Sequence, residues 1–345
     1  MDDRILNFKG THKEIGEQVG QLYKRWGSDY SFLPSMIDHY SSQLKIYEKF
    51  YPGYLEFLEG IAKGVGAPKD KIFKFSLTIF LSVTKDLVER KCSSFAVRNE
   101  HGGFVGRNYD WRASSEKYSK SLSYEFTDRS AFNFKGNSDM GTWKKNIIVD
   151  KSEFALIVED GWNDKGLYIG LNGAPGKTVL NGMNLPHLVQ LVTETCENVN
   201  QAIALLEKVP TTNSHIFTLT DKAGNMVVAE RSLEKGVFVR QEKQFIITTN
   251  HFNHPSLIQE NIQIFNQTPF HSTFVRYHYL DLILSEVWKD INLEKIISIL
   301  TKPPTLQNWR GEDDTVTLWT LALELKSGKY IVKFTPCRKT GNGVK

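Results

Sequence analysis

Apolar residues recur at helical spacing through the first 90 residues of the chain. A T-x-x-E capping box at residues 11–14 precedes an apolar stripe, which predicts that a helix begins there. A second helix is predicted within 50–68, where Gly64 and Gly66 suit its C-terminal end, and a third within 72–87. No alternating strand pattern of useful length precedes residue 92, so this part of the chain is expected to be helical.

The pattern changes at residue 92, where short alternating runs separated by turn residues predict β-hairpins. The predicted hairpins pair 93–99 with 104–111, 154–160 with 167–172, 215–221 with 226–232, and 317–325 with 330–334. Further strands are expected at 236–241 and 244–250, and helices at 186–197, 199–208, 274–289 and 293–301. Hairpins that alternate with helix pairs indicate an α+β fold with antiparallel sheets covered by helices, and they disfavour a doubly wound parallel sheet.

Composition narrows the class of protein. The chain has 345 residues, of which 40% are hydrophobic and 24% charged, as expected of a soluble globular protein. Its 43 basic and 39 acidic residues leave a net charge of +4, too small to indicate a nucleic-acid partner. The first ten residues contain no apolar run, and no stretch approaches the roughly 18 apolar residues of a membrane span. We therefore expect a cytoplasmic protein without a membrane span.

Metal and nucleotide sites lack their usual motifs. The sequence contains neither H-E-x-x-H nor C-x-x-C, and GLNGAPGKT does not have P-loop spacing. His251 and His254 are spaced as H-x-x-H but lack a third ligand at a usual offset. Neither a metal nor a cofactor is expected. Glu230, at the end of a strand, is interpreted as a partly exposed carboxylate, with contacts to groups around a site as the alternative.

The three cysteines differ in their surroundings, and their odd number favours a reducing compartment over a disulfide framework. Cys196 is expected to be a small buried hydrophobe, and Cys337 has no candidate base nearby. Cys92 instead begins the first hairpin, and Arg107 and Asp110 end its returning strand. Because a hairpin brings its two ends together, we expect both side chains within reach of Cys92, where a guanidinium lowers a thiol pKa.

The one histidine near Cys92 in the sequence is His101, and it is expected in the turn at the far end of the hairpin, where it cannot act as the base. Cleavage between Lys91 and Cys92 would solve this, because the freed α-amino group, with a pKa of about 7.7 to 8.0, can take the thiol proton. The chain would then consist of a helical precursor segment, 1–91, and a catalytic segment, 92–345. A conventional cysteine hydrolase that uses a histidine such as His251 is the alternative.

The order of motifs resembles a known family. KGTHKEIGEQVGQL, YLEFLEGIAKGVG, CSSFAV, GRNYDW, NDKGLYIGLN, ITTNHF, STFVRY and the closing TLWTLALELKSGKYIVKFTPC occur in that order. Together they resemble the autoproteolytic family of acyl-coenzyme A:6-aminopenicillanic acid acyltransferase. That family is related to choloylglycine hydrolases and penicillin V acylases among the N-terminal nucleophile hydrolases.

The resemblance implies a set of site residues. It makes Cys92 the nucleophile, with Arg107 close to its sulfur and Asp110 holding the new α-amino group. The remaining members are Asn250 and Asn172 as oxyanion-hole donors and Arg276 as an arginine that supports the site. An amide NH2 suits the oxyanion role because it donates without carrying a charge. Lys91 departs from the small residue found before the cut in the penicillin enzyme.

The resemblance also implies a four-layer αββα sandwich in which 1–91 and 92–345 form one domain. The expected activity is hydrolysis of the linear amide bond of an N-acyl substrate through an acyl-enzyme on Cys92. The first alternative is transfer of an acyl group to an amine, either from acyl-coenzyme A as a co-substrate or from an amide. An unprocessed, non-catalytic homologue is a further alternative. The expected partner is a small-molecule amide or thioester, and a homo-oligomer stays open.

Overall fold

A computed structural model of the chain describes residues 4–27, 40–78, 91–128, 130–139, 141–142, 154–155, 158–179, 181–261, 272–308 and 315–335. The α-helices in these ranges are α1 His12–Arg25, α2 Tyr40–Phe50, α3 Pro52–Val65, α4 Lys69–Thr78, α5 Leu185–Thr195, α6 Val199–Lys208, α7 Thr273–Val287 and α8 Leu293–Leu300. The strands are β1 Ile5–Gly10, β2 Ser93–Asn99, β3 Gly102–Arg112, β4 Ser119–Phe126, β5 Phe134–Asp139, β6 Gly141–Thr142, β7 Phe154–Ala155, β8 Asp160–Asn163, β9 Leu167–Thr178, β10 Asn213–Asp221, β11 Met226–Ser232, β12 Gly236–Gln241, β13 Phe245–Thr248, β14 Thr315–Glu324 and β15 Tyr330–Phe334.

The predicted capping box is present at the start of α1. The Thr11 hydroxyl accepts from the backbone N–H of Glu14, and the Glu14 carboxylate accepts from the backbone N–H of Thr11. This reciprocal pair satisfies two N–H groups that the helix itself leaves without partners. The prediction of a helix from this point is confirmed.

Helices α1 and α3 approach each other closely through glycines. A Cβ added at Gly60 would lie 2.0 Å from the carbonyl oxygen of Lys13, and one added at Gly64 would lie 2.2 Å from that of Glu17. Gly64 lies in the last turn of α3, as expected, and it also permits this close contact with α1. Gly66, with φ of +80°, adopts the left-handed conformation that terminates α3.

The segment before Cys92 is not purely helical, because it begins with β1. This strand pairs in parallel with β4 at the edge of the larger sheet. Its large apolar side chains are mostly exposed or half-buried, with only Phe8 buried, so its hydrophobic pattern is too sparse to reveal a strand. The N-terminal segment thus contributes to a sheet formed mainly by residues that follow Cys92.

Two main sheets lie face to face. The larger has the order β1-β4-β5-β8-β9-β10-β11-β12, and the smaller has the order β13-β2-β3-β14-β15. All neighbouring strands in them are antiparallel except β1 and β4. Strands β6 and β7 form a separate pair.

The hydrophobic clusters define four layers. One cluster joins α1, α3, α5 and α6 to the larger sheet, and a second joins α7 and α8 to the smaller one. Two further clusters lie between the sheets, with Ala96 and Ile246 of one sheet meeting Ile216 and Val228 of the other. The predicted helix–sheet–sheet–helix order is confirmed. Alternation along β2 turns Ala96 and Ser94 toward the opposite sheet.

Most predicted elements after residue 92 are confirmed, and one hairpin is shifted. Residues 161–163, expected in a turn, belong to β8, and the reversal to β9 occurs at 164–166. Phe154–Ala155 pairs with Gly141–Thr142 instead of with β9. The strands β4 and β5 and the helix α2 were not predicted. The third predicted helix starts earlier, at Lys69, and its remainder beyond residue 78 lies outside the described residues.

Candidate active site

Cys92 immediately precedes β2 and is fully buried. Pairing of β2 with β3 aligns Ser93 with Asn108 and Ser94 with Arg107, so the two ends of the hairpin meet as predicted. The backbone N–H of Cys92 donates to Oδ1 of Asn250 over 2.8 Å. The N–H of Lys91 donates to the main-chain oxygen of Asp110 over 3.5 Å, so the residue before Cys92 continues along β3.

Arg107 faces the sulfur of Cys92 and is itself fully buried. Its Nη2 lies 3.9 Å from Sγ of Cys92. Its Nη1 donates to Oγ of Ser94 over 3.0 Å and to Oδ1 of Asn172 over 2.9 Å. Burial alone would lower the pKa of Arg107, but neighbouring acidic groups raise it, so the guanidinium stays charged.

Asp160 of β8 forms an ion pair with Arg107 that sequence reasoning missed. Its Oδ2 lies 2.9 Å from Nε of Arg107, and both side chains are fully buried. Asn137 donates to its Oδ1 over 2.6 Å, and the indole N–H of Trp319 donates to its Oδ2 over 3.0 Å. The two sheets are thus joined by a pair of charges next to Cys92. Asp160 lies in a segment that the sequence shows only as the end of a strand.

Asp110 occupies a buried position with one satisfied oxygen. The hydroxyl of Thr317 donates to its Oδ1 over 2.6 Å, and its Oδ2 has no hydrogen-bond partner among the described residues. A register shift between Thr317 and Trp319 of β14 lies beside it. Burial raises the pKa of Asp110 to about 7, although the charge of Arg276 opposes this rise.

The amide of Asn250 contacts Cys92 directly and that of Asn172 contacts Arg107, each with its oxygen turned toward hydrogen-bond donors. Oδ1 of Asn172 accepts from Ser94 and Arg107, and Oδ1 of Asn250 accepts from Cys92 and Arg276. Nδ2 of Asn172 donates to the carbonyl of Thr249, and Nδ2 of Asn250 to that of Gly173. Each amide nitrogen carries a second hydrogen beyond the one used in this bond.

Arg276 projects from the first turns of α7 and connects three parts of the site. Its guanidinium donates to the main-chain oxygen of Cys92, to Oγ of Ser93 over 2.9 Å, and to Oδ1 of Asn250 over 2.9 Å. Its Nε donates to Oγ of Ser272 over 3.0 Å. This fully buried arginine therefore holds both the backbone of Cys92 and the amide of Asn250.

The loop that follows Asn250 is anchored by two side chains. Glu230 is fully buried, so the expectation of a partly exposed carboxylate is wrong. It accepts the backbone N–H groups of Asn253 and His254 and pairs with Arg240 at 2.6 Å. Nδ1 of His251 lies within hydrogen-bond distance of the hydroxyls of Thr249 (3.1 Å) and Thr273 (2.9 Å).

The other sites considered from sequence differ from that of Cys92. Cys196 is buried at the end of α5, as predicted, and burial raises its pKa to about 11. Cys337 lies outside the described residues. Within the described ranges, no three His, Cys, Asp or Glu side chains lie close enough to hold a metal ion. Nor does any helix there have the length and hydropathy needed to cross a membrane.

The structure brings all six predicted site residues into one buried network. Cys92 contacts Arg107 through its sulfur, and it contacts Asn250 and Arg276 through its backbone. Asn172 joins the network through its hydrogen bond from Arg107. Asp110 interacts electrostatically with both arginines, whose charges oppose the rise of its pKa. A thiol beside a guanidinium, with amide donors close by, can attack a carbonyl carbon and stabilise the resulting oxyanion. The role of each residue stays a prediction.

Comparisons with known proteins identify similar structures and one matching family. The chain is similar to the solved structures of a mutant conjugated bile acid hydrolase from Clostridium perfringens and of penicillin V acylase from Agrobacterium tumefaciens. Each has a TM-score of 0.44 and 14% identity over 70% of this chain, covering 89% and 83% of the respective relative. A sequence search among curated proteins finds no match. The sequence model of the family described as acyl-coenzyme A:6-aminopenicillanic acid acyl-transferase matches residues 97–335, more than half of the chain.

Proposed function

The chain belongs to the acyl-coenzyme A:6-aminopenicillanic acid acyl-transferase family, and from this premise we propose that it is a self-cleaving cysteine hydrolase of N-acyl amides. The proposed reaction cleaves a linear amide bond through a thioester on Cys92. The observation that carries this proposal is the 3.9 Å approach of the Arg107 guanidinium to Sγ of Cys92 in a fully buried site. A nearby buried cation favours the thiolate, which is the nucleophilic form of cysteine.

Self-cleavage is proposed to occur between Lys91 and Cys92. The sulfur of Cys92 attacks the carbonyl carbon of Lys91, and its proton passes to the Cys92 nitrogen as the C–N bond breaks. The product is a thioester with a free α-amine, and water then hydrolyses the thioester to release the Lys91 carboxylate and restore the thiol. Oδ1 of Asn250 holds the N–H of the bond to be cut, which supports this assignment.

Asp110 is proposed to bind the new α-ammonium group of Cys92 after cleavage. Its Oδ2 has no hydrogen-bond partner among the described residues, although the side chain is fully buried. An unpaired buried carboxylate is costly, and burial raises the pKa of Asp110 to about 7. A positive charge beside it after cleavage would remove that cost, lower this pKa, and fix the amine in place.

Turnover then uses the α-amine as the base. It accepts the thiol proton, and the Cys92 thiolate attacks the substrate carbonyl carbon. The second N–H groups of Asn250 and Asn172 donate to the oxyanion, and the α-ammonium gives its proton to the leaving nitrogen. Water, deprotonated by the same amine, attacks the thioester and releases the acid.

Acyl transfer is the second candidate, and the description of the matched family favours it. With an amide as acyl donor, the chemistry differs only in the second half, where an amine replaces water as the acceptor of the acyl group. With acyl-coenzyme A as donor, the first half also differs: the Cys92 thiolate attacks the donor's carbonyl carbon, its C–S bond breaks, and the coenzyme A thiol leaves as the same thioester forms on Cys92. Adding an amine acceptor to the assay distinguishes the two, because a transferase forms the new amide at the expense of the free acid.

The test combines intact-mass measurement with amide turnover. Wild-type protein is expected to yield fragments 1–91 and 92–345, and Cys92→Ala is expected to remain full length and inactive. Cys196→Ala is the matched control, because it removes a buried thiol at the end of α5, and it should cleave and turn over as wild type does. A panel of N-acyl amides that differ in acyl length identifies the substrate class.

Two further outcomes would point to a histidine-dependent hydrolase or to a protein without activity. A persistent full-length chain with undiminished amidase activity would contradict the free-amine mechanism and favour a histidine base such as His251. A chain that neither cleaves nor turns over any amide or acyl-coenzyme A would contradict the enzymatic proposal altogether and indicate a non-catalytic homologue.

A further inference from the structure

The buried carboxylate of Asp160 pairs with the same guanidinium, that of Arg107, which approaches the sulfur of Cys92. Nε of Arg107 lies 2.9 Å from Oδ2 of Asp160. Its Nη2 donates to the main-chain oxygen of Leu171 and lies 3.9 Å from Sγ of Cys92. One guanidinium therefore contacts both the carboxylate of Asp160 and the sulfur of Cys92. Through this guanidinium, Asp160 can influence the chemistry of Cys92.

Asp160 is itself held from two sides. Asn137 of β5 donates to Oδ1 over 2.6 Å, and Trp319 of β14 donates to Oδ2 over 3.0 Å. The indole of Trp319 is fixed in turn by stacking on Tyr109, with ring centroids 4.2 Å apart. A carboxylate with both oxygens bonded inside two sheets cannot move far, so it offers a fixed point for a long arginine side chain.

Arg107 needs such a fixed point because its side chain has many rotatable bonds and carries a charge in a fully buried place. A buried cation without a counter-charge is strongly disfavoured. The titratable groups that face Arg107 are Cys92, Tyr168, Asp160 and Glu159, with Asp110 acting on it as well. Of these acidic groups, Asp160 has the direct ion pair with its guanidinium.

We propose that Asp160 is a positioning residue that holds Arg107 with Nη2 directed at the sulfur of Cys92. This inference rests on the proposed function, because it assumes that the reactivity of Cys92 matters. It adds a residue from the larger sheet to a site whose nucleophile lies in the smaller one. The packing of the two sheets against each other then contributes to the reactivity of the Cys92 thiol.

The direction of the effect distinguishes positioning from a direct charge effect. If Asp160 acted on Cys92 through its own negative charge, removing that charge would lower the pKa of the Cys92 thiol. Cys92 would then become reactive at a lower pH. If Asp160 instead holds Arg107 in place, removing the carboxylate lets the guanidinium move away from the sulfur. The pKa of the Cys92 thiol then rises, and Cys92 becomes reactive only at a higher pH. The two explanations predict shifts of opposite sign.

The experiment measures alkylation of Cys92 by iodoacetamide as a function of pH, with the modified residue located by peptide mass mapping. Asp160→Asn keeps the shape of the side chain and removes its charge. We expect the midpoint of its pH profile to rise by about one unit, which slows labelling at pH 7 by about tenfold. Asp160→Glu should restore part of the rate, and Asn137→Ala should cause a smaller shift in the same direction.

A double-variant cycle tests whether Asp160 acts through Arg107. In an Arg107→Gln background, Asp160→Asn is expected to change the midpoint little, because the group it positions is already absent. This pair also leaves neither charge buried alone, so it provides a folded protein if Asp160→Asn by itself unfolds. Glu194→Gln is the control, since it removes the charge of a buried carboxylate paired with His12 on the outer side of the larger sheet.

Several results would overturn the inference. They are a downward or absent shift in Asp160→Asn, additive shifts in the double variant, or a wild-type midpoint equal to that of an ordinary thiol. Labelling does not require amide turnover. A wild-type protein with a reactive Cys92 and no amidase activity would therefore refute the proposed function while leaving the positioning role of Asp160 measurable.

Discussion

Replacing Arg276 by lysine tests whether the six-residue network supports catalysis. The guanidinium of Arg276 reaches four acceptors: the main-chain oxygen of Cys92, Oγ of Ser93, Oδ1 of Asn250 and Oγ of Ser272. A lysine ammonium keeps the charge, but its single nitrogen cannot bridge Cys92 and Asn250 as the planar fork does. The variant therefore separates the effect of charge from the effect of geometry.

The expected magnitude follows from the bonds that are lost. A hydrogen bond from a charged donor contributes about 1.5 to 3 kcal/mol. Loss of the links to Cys92 and Asn250 at the lower value costs about 3 kcal/mol, which corresponds to roughly a 100-fold decrease in kcat/KM. Self-cleavage should slow as well, because both links hold the bond between Lys91 and Cys92.

The assay is kcat/KM on the best N-acyl amide of the panel, with intact mass to follow self-cleavage and thermal unfolding to follow stability. The control is Arg231→Lys, which changes a half-buried arginine that bonds the carbonyls of Leu206 and Val209. This control should keep wild-type turnover. If Arg276→Lys retains activity within about threefold of wild type, the assumption that this fork orients the site is refuted.

Two further predictions concern stability. Gly60→Ala places a Cβ 2.0 Å from the carbonyl oxygen of Lys13 and should lower the free energy of unfolding by about 1 to 3 kcal/mol in urea denaturation, whereas the exposed Glu56→Ala should change it by less than about 0.5 kcal/mol. Burial alone would lower the pKa of His12, but its hydrogen bond to Glu194 and the charge of that carboxylate raise it above 6.5. Protonated His12 therefore contributes its full stabilisation below pH 6.5. This stabilisation is lost as the pH rises through the raised pKa of His12 in the folded protein. His12→Gln should remove this part of the pH dependence in denaturation curves at about pH 6 and pH 8.5, and an unchanged pH dependence would contradict the assignment.

Local patterns predicted many elements because their causes lie close together in sequence. The capping box at Thr11 and Glu14 needs only four residues, and the turn between β10 and β11 uses residues adjacent to both strands. β1 was missed because its strand partner, β4, lies far along the chain. β1 is stabilised as a strand by pairing with residues more than a hundred positions later. The pattern of its own six residues does not predict this pairing.

The same distinction applies to the site. By itself the sequence determined that Cys92, Arg107 and Asp110 share a hairpin, since strand pairing and spacing bring them together, and family motifs added Asn172, Asn250 and Arg276. Only the tertiary structure decided that Asp160 pairs with Arg107, because the two side chains come from different sheets, and the way these sheets face each other depends on the packing of the whole core. Contacts within one hairpin follow from local geometry, whereas contacts between sheets follow from burial of side chains that are distant in sequence.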